Sequence, residues 1–294
     1  MSDTLPSTEA ASPAARDLDV LDAQDIVALL AREQIAAAEA VAGRTVAIAN
    51  AVDAIVARLC DGGVLRYVGA GTSGRLAMLD AAECPPTFGT APTLVVAHVA
   101  GGTEALVRAV EGAEDDADAG AAEMRAVVRP QDAVVGISAS GGARYVVAAL
   151  QAARAAGALL VAVTSVADSA LAGVADIAIV VETGAEPIAG STRLKAGTAQ
   201  KLVLNALSTA TMVRLGRVYD NVMVDVVATN AKLRLRALGL VRQLAGVNET
   251  SARALLDAAG GSVKVAVVMS RRGVAALDAR ALLEAAGGFL RPLL

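Results

Sequence analysis

Five short apolar runs alternate with helical stretches along the middle of this 294-residue chain, and this alternation constrains the fold more than any other feature. The runs are rich in Val, Ile and Leu without clean polar alternation, which is typical of parallel strands covered on both faces. They lie at 65–68, 93–97, 133–137, 159–164 and 177–181. Apolar residues at helical spacing lie between them near 75–82, 103–127 and 143–156. The order predicts an α/β fold, a doubly wound five-stranded parallel sheet.

The segments on either side of this region predict three parts of the chain. Residues 1–20 are rich in Ser, Pro, Ala and Asp, and we expect a flexible N-terminal arm there. Residues 21–225 are expected to form the main domain, in which two helices precede the sheet. Residues 226–294 are expected to form a C-terminal helical region with a small three-helix module, because glycines separate short helical runs.

Composition and charge exclude several classes of protein. No uncharged apolar run reaches the roughly 18 residues of a membrane span, so we expect no membrane partner. A net charge of −4 makes nucleic acid an unexpected partner. The polar N-terminus lacks the apolar core of a signal peptide, and two cysteines make no disulfide framework, which predicts a cytoplasmic protein. The single histidine, His98, excludes a multi-histidine zinc site.

Two glycine-rich loops, at 69–74 and 136–142, follow predicted strands and suit an anion. Helix amino termini and backbone N–H groups meet at the carboxyl ends of parallel strands, and hydroxyls add donors there. The candidate phosphate-binding residues are Gly71, Thr72, Ser73, Ser138, Ser140 and Gly141. The alternative is a pair of tight strand-to-helix turns. A dinucleotide is disfavoured because the second strand ends at His98 rather than at an acidic residue, and a nucleoside triphosphate because the Walker pattern is missing.

A third segment, 186–201, places Ser191 at a predicted helix start with Lys195 soon after it. Both are candidate anion ligands. The alternative is a capped helix whose cations are solvated.

Two glutamates are candidates for acid/base chemistry. Glu83 stands just before Pro85 and Pro86, so its helix is predicted to end there. The negative end of a helix dipole favours a protonated carboxyl, as a general acid requires. Glu114 lies in the acidic cluster 111–116, where crowded charges would favour one protonated member. The alternatives are an exposed helix-end glutamate and a restarted helix with acids in its first turn.

Four strings carry a resemblance to a known family: YVGAGTSGRLAMLDAAECPPTFG (67–89), AVEGAEDD (109–116), VVGISASGG (134–142) and GSTRLKAGTAQK (190–201). They resemble the N-acetylmuramic acid 6-phosphate etherases of the sugar isomerase (SIS) superfamily. The glucokinase regulatory proteins share part of the pattern. The resemblance implies a homodimer, Glu83 as proton donor and Glu114 as second acid/base residue. It also implies cleavage of the substrate's D-lactyl ether in cell-wall sugar recovery, with no metal or other cofactor.

The chain departs from that family pattern at two places. SGRTPY is expected where residues 140–145 read SGGARY, which puts affinity or substrate range in question. The N-terminal arm keeps Thr8-Glu9 but loses the Arg-Asn-Pro that is usual nearby, so a ligand contact from the arm stays open. The rival functions are a phosphosugar-sensing regulatory protein and an aldose–ketose phosphosugar isomerase, for which Glu186 would be the candidate base.

Overall fold

The computed structural model describes residues 7–228 and 231–294, and a single parallel sheet lies at its centre. The five strands of the sheet run in the order β2-β1-β3-β4-β5. They are β1 (Leu65–Gly69), β2 (Val95–Val99), β3 (Ala133–Ile137), β4 (Leu159–Thr164) and β5 (Ile177–Val180). The short antiparallel strands β6 (Val218–Tyr219) and β7 (Val222–Met223) pair separately. The predicted α/β class and five-stranded parallel sheet are confirmed.

The helices of the described residues account for most of the remaining chain. They are α1 (Ala23–Ala42), α2 (Thr45–Cys60), α3 (Gly71–Phe88), α4 (Ala117–Val127), α5 (Arg144–Ala155), α6 (Ala170–Val174), α7 (Lys195–Arg214), α8 (Ala231–Ala245), α9 (Glu249–Ala258), α10 (Val263–Arg272) and α11 (Ala276–Ala285). Single 3-10 turns lie at 7–9, 13–15, 18–20, 102–106, 113–115 and 291–293. The start predicted for α8, at Asn230, falls outside the described residues.

The strand order brings the two glycine-rich loops together. β1 pairs with both β2 and β3, and Gly69 lies beside Ile137 at the carboxyl end of the sheet. Because β1 and β3 are neighbours without being consecutive, the chain leaves them toward opposite faces of the sheet. Such a switch point is where open α/β sheets bind their ligands.

At the amino ends of β1 and β3, a charge cluster around the buried Asp132 connects the two strands. Its carboxylate accepts hydrogen bonds from Val64 N, from Arg66 Nε at 2.7 Å and from Arg129. Burial opposes ionisation, yet the hydrogen bonds from Arg66 and the backbone hold the Asp132 pKa below its ordinary value. The carboxylate therefore fixes the start of β1 against the turn before β3.

Two of the predicted helices differ from the observed ones. α3 begins at Gly71 rather than near Arg75 and continues through Pro85 and Pro86 to Phe88. The prolines remove two helical hydrogen bonds, but Gly89 N still bonds to Pro85 O at 2.9 Å and closes the last turn. The helix predicted over 103–127 is broken, because Gly112 adopts φ +73° and Asp116 caps a new helix, α4.

The chain divides into two compact units. The first holds the residues up to Ala81 together with Leu94–Ser208, and therefore the whole parallel sheet. The second holds Ala82–Thr93 and Thr209–Leu294, with a core of α8 and α10 residues such as Val241 and Val267. The parts predicted at 1–20, 21–225 and 226–294 stay predictions.

A buried ion pair lies inside the second unit. Lys264 Nζ bonds to Asp225 Oδ2 at 2.6 Å and to Gly288 O at 2.8 Å. Burial lowers the pKa of Lys264.

Among the described residues, no single helix is both long and apolar enough to cross a membrane. α1 and α2 meet that criterion only when they are taken together, and they are bent by 60° at the break between them.

Candidate functional site

A cavity of about 280 Å³ lies at the carboxyl edge of β1 and β3, entirely within the first unit. It is lined by six of the residues singled out in the sequence: Gly71, Thr72, Ser73, Ser138, Ser140 and Glu114. Gly190 and Thr192, on either side of the predicted Ser191, also line it, whereas Ser191 itself does not. The two loops and the third segment therefore meet at one place.

The first loop supplies the amino terminus of an 18-residue helix. Gly71 begins α3 with φ +53°, and the N–H groups of the first turn have no acceptor within the helix. Gly74 must be glycine, because a Cβ there would lie 2.8 Å from Gly69 O and 2.7 Å from Val99 Cγ1. The tight turn presents free donors and the positive end of the helix dipole to an anion.

The second loop is held by its own hydroxyls. Ser138 Oγ accepts a hydrogen bond from Gly141 N at 3.1 Å, and Ser140 Oγ accepts one from Gly142 N at 3.2 Å. Gly141 does not line the cavity; it has φ +67°, and a side chain there would overlap Ser169. Because both serines accept from the backbone, their hydroxyl protons remain available to a ligand.

No lysine or arginine is among the described residues that line the cavity. Lys195, predicted to bind an anion, is elsewhere: its Nζ bonds to Glu33 Oε2 at 2.6 Å and to Ala185 O at 3.1 Å. That ion pair neutralises the charge within the fold. Backbone N–H groups, hydroxyls and the dipole of α3 are left to bind an anion.

Glu186, the candidate base of the isomerase hypothesis, caps a helix. Its Oε2 accepts from Lys195 N at 2.8 Å and its Oε1 accepts from Ala196 N at 2.9 Å. The side chain is fully buried and does not line the cavity. Its two oxygens fix the start of α7 instead of facing a substrate.

Glu114 stands between two cavities. It lies exposed on the 3-10 turn at 113–115 and lines both the cavity at the ends of β1 and β3 and an adjoining one of about 230 Å³. Arg75, Val110 and Glu111 also line the second cavity. The Glu114 carboxylate is therefore accessible from both cavities.

Glu9 is a residue that the sequence analysis left open, and it lines the same cavity as Glu114. The buried Thr8 anchors it, since Thr8 O accepts a hydrogen bond from Gly190 N at 3.2 Å. A Cβ on Gly190 would lie 2.7 Å from Glu9 Oε2, so the arm packs closely on the third segment. The retained Thr8-Glu9 pair was the only sequence signal for this contact. Gly190, to which Thr8 is hydrogen-bonded, is 182 positions away in sequence (190 − 8), so the sequence could not show that they meet.

Glu83 is not at a helix end, and that part of the sequence argument is wrong. α3 continues five residues beyond it to Phe88, and the side chain of Glu83 is exposed. Glu83 does not line the cavity that Glu114 lines.

A partly buried hydrogen-bond network links His98, Glu123 and Tyr145. His98 Nδ1 lies 2.8 Å from Glu123 Oε1, and Tyr145 OH donates to Glu123 Oε2. The hydrogen bond from His98, partly opposed by burial, lowers the pKa of Glu123, and burial raises the pKa of Tyr145. Glu123 is thus an acceptor-only carboxylate and His98 carries its proton on Nδ1. These two hydrogen bonds connect β2, α4 and α5.

No group of three or more His, Cys, Asp or Glu side chains in residues 7–228 and 231–294 could hold a metal ion.

Comparisons with known proteins agree with this geometry. Residues 47–154 match the family described as the glucokinase regulatory protein N-terminal SIS domain, and residues 109–210 match the SIS domain. The chain is 54% identical to an N-acetylmuramic acid 6-phosphate etherase of Symbiobacterium thermophilum, over 86% of this chain and 84% of the relative. It is 51% identical to the protein of that name in Rubrobacter xylanophilus, over 89% and 87%.

Among solved structures, the chain is similar to a phosphoheptose isomerase from Francisella tularensis. The identity is 22% and the TM-score 0.53, with 66% of this chain and 100% of that chain covered. That likeness concerns the fold alone.

Proposed function

The chain belongs to the N-acetylmuramic acid 6-phosphate etherases, and from this premise we propose that its cavity at the β1/β3 switch point binds the phosphate of that sugar. The observation that carries the proposal is the convergence of two hydroxyl-bearing loops and the α3 amino terminus on one cavity walled by Glu114. Neutral donors and a helix dipole are a common anion site. The first unit would therefore be the phosphosugar-binding one.

The reaction of such a carbon–oxygen lyase needs only proton transfers. In the open-chain sugar, the C1 aldehyde acidifies the C2 proton, which a base removes. The electron pair forms the C2=C3 double bond as the C3–O bond breaks, and an acid protonates the departing lactate oxygen. Water then adds across the double bond, with OH at C3 and H at C2, which gives N-acetylglucosamine 6-phosphate and D-lactate. General acid–base catalysis by two carboxyl groups is sufficient for this sequence.

We assign Glu83 as the proton donor and Glu114 as the second acid/base residue. Position supports Glu114, since it lies at the wall shared by two cavities. The ECPPTFG motif supports Glu83. Gly141, Ser191 and Lys195 do not line the cavity; Gly141 shapes its loop, and Lys195 is paired with Glu33.

A cytoplasmic homodimer is the proposed assembly. α1 presents an exposed apolar stripe at helical spacing, formed by Val27, Ala31, Ile35, Ala38 and Ala42. Val27 is 64% and Ile35 60% exposed. A contiguous row of exposed apolar side chains on a protein surface is typical of an interaction site. A two-fold contact between copies of such a stripe would bury both at once.

Incubation of the purified protein with N-acetylmuramic acid 6-phosphate and an enzymatic assay for D-lactate test the function. We expect equimolar D-lactate and N-acetylglucosamine 6-phosphate. Binding of the phosphosugar without release of lactate would indicate a regulatory protein instead, and formation of a ketose phosphate would indicate an isomerase.

A further inference from the structure

Ser73 and Gln200 form a buried contact at the edge of the cavity. Ser73 is on the first turn of α3, and its Oγ donates to Gln200 Oε1 at 2.9 Å. Gln200 is on α7 and only 3% exposed, and its Nε2 has no hydrogen-bond partner within the described residues. A buried amide N–H without an acceptor is uncommon and costly, so it needs a physical reason.

The direction of this hydrogen bond is unsuitable for binding an anion. A serine hydroxyl carries one proton, and an amide oxygen can only accept, so Ser73 donates its proton to Gln200. Phosphate oxygens also accept. Ser73 therefore has no proton left for phosphate, whereas Ser138 and Ser140 accept from backbone N–H groups and keep theirs.

A half-turn of the Gln200 amide reverses the bond. It exchanges Oε1 and Nε2 without moving the rest of the side chain. Nε2 then donates to Ser73 Oγ, and the Ser73 proton is free to point into the cavity. The carbonyl oxygen of Gln200 then occupies the position where the amide nitrogen had no partner. A buried carbonyl with too few hydrogen bonds is less unusual than a buried N–H with none.

We propose that Gln200 is a positioning residue whose amide turns when an anion enters the cavity, so that Ser73 changes from donating to Gln200 to donating to phosphate. The proposal rests on the proposed function in so far as the cavity is taken as the phosphate site. α7 then contributes to that site through Gln200 and not through Lys195, which is paired with Glu33.

Two substitutions separate the direction of the bond from its mere presence. Gln200→Glu, when ionised, can only accept and holds the Ser73 proton away from the cavity. Gln200→Met has a similar length and leaves the hydroxyl free. With inorganic phosphate as the probe in isothermal titration calorimetry, we expect Gln200→Glu to raise the Kd by about tenfold or more. Gln200→Met should raise it by roughly threefold at most.

The same pair in a Ser73→Ala background tests whether the effect passes through Ser73. There the difference in phosphate affinity between the two variants should shrink, because only the charge of the introduced carboxylate then remains. A loss in Gln200→Glu that persists undiminished in Ser73→Ala would mean charge repulsion alone, and would overturn the proposal. Phosphate affinity in Gln200→Glu equal to the wild type would overturn it too. Gln151→Met, an exposed glutamine on α5, is the matched control.

A measurement on the wild-type protein does not depend on the variants folding. In protein labelled with ¹⁵N-glutamine, the Gln200 side-chain signals are those missing in Gln200→Met, or are assigned through contacts with Ser73. Saturation with inorganic phosphate should shift them and slow exchange of one amide proton with water. Unchanged signals at saturation would contradict the turning amide.

The outcome is separable from that of the proposed function. Phosphate binding is measured without turnover, so the Gln200 results can hold even if no D-lactate is released. Conversely, lactate release together with Gln200 variants that bind phosphate as the wild type does would leave the function standing and refute this inference.

Discussion

The two carboxylates of the proposed reaction have different surroundings. Glu114 lies on a short turn beside the cavity, whereas Glu83 lies exposed within α3. Within residues 7–228 and 231–294, neither forms an ion pair of the kind that holds Lys195 or Asp132.

Glu83→Gln should abolish ether cleavage and leave phosphate binding intact, because the amide cannot supply a proton. We expect kcat to fall by a factor of about 10² to 10⁴. Lactate release measures this loss, and calorimetry with inorganic phosphate measures binding. Glu284→Gln, an exposed glutamate on α11, is the control. Cleavage near the wild-type rate in Glu83→Gln would remove Glu83 from the mechanism.

Ala143 is the position where the departure from SGRTPY reaches the cavity, since Ala143 lines the cavity while Arg144 does not. α5 also begins without a side-chain cap at Ala143. Ala143→Thr should supply both a hydroxyl donor and a cap, raising phosphosugar affinity about fivefold and stability by about 1 kcal/mol. Ala143→Val has the same shape without the hydroxyl and should do neither. Equal affinity in both variants would show that this position does not contact the ligand.

At the scale of elements, α4 and α5 connect the two halves of the site. Glu114 lies just before α4, and the second loop leads into α5. Tyr145 on α5 and Glu123 on α4 are hydrogen-bonded, with His98 of β2 behind them. The hydrogen bond between Tyr145 and Glu123 fixes the position of the Glu114 turn relative to Ser138 and Ser140 of the second loop.

Gly120 allows α4 and α5 to approach, because a Cβ there would overlap the Tyr145 carbonyl group. Gly120→Ala should therefore separate the helices, lower stability by about 1 to 3 kcal/mol and weaken phosphosugar binding. Urea unfolding and calorimetry measure the two effects. Gly173→Ala on α6, where a Cβ meets nothing within 4 Å, should leave both unchanged or add slight stability. A Gly120→Ala protein as stable as the wild type would contradict this packing.

The Glu123 contacts also predict a pH dependence of stability. The pKa of Glu123 is lowered from 4.5 in the fold, mainly by the hydrogen bond from His98. Its contribution is therefore complete above about pH 4.5 and is lost as the pH falls through the lowered pKa. The difference in unfolding free energy between the wild type and Glu123→Gln should be largest near neutrality and shrink in acid. A difference that is constant across this range would show that ionised Glu123 contributes nothing.

At the scale of the whole molecule, the α1 stripe is the proposed contact between two copies of the chain. Ile35→Glu should place a charge in the centre of the proposed two-fold contact and yield a monomer in analytical ultracentrifugation. Leu277→Glu on α11, 79% exposed in the second unit, should leave the dimer intact. A wild-type monomer would refute the homodimer, and a dimeric Ile35→Glu protein would place the contact elsewhere.

Much of the fold could be predicted from the sequence because its signals are local. The Val- and Ile-rich runs matched the five strands within two residues, and glycines marked both loops. The end of α3 was misjudged because tertiary packing tolerates two prolines in a last turn that Gly89 still closes. The stretch 103–127 read as helical from apolar spacing alone, whereas the alternative of a restarted helix after the acidic cluster is the one that the left-handed Gly112 and the Asp116 cap produce.

The sequence by itself determined the alternation of strands and helices, the position of two glycine-rich loops and the family of the chain. Only the tertiary structure decided that β1 lies beside β3, so that these loops meet. It also decided which long-range partner each polar side chain takes: Lys195 pairs with Glu33, 162 positions away, and Ser73 with Gln200, 127 positions away. Apolar periodicity and turn residues act over a few neighbours, whereas these pairings depend on the strand order that folds distant segments together.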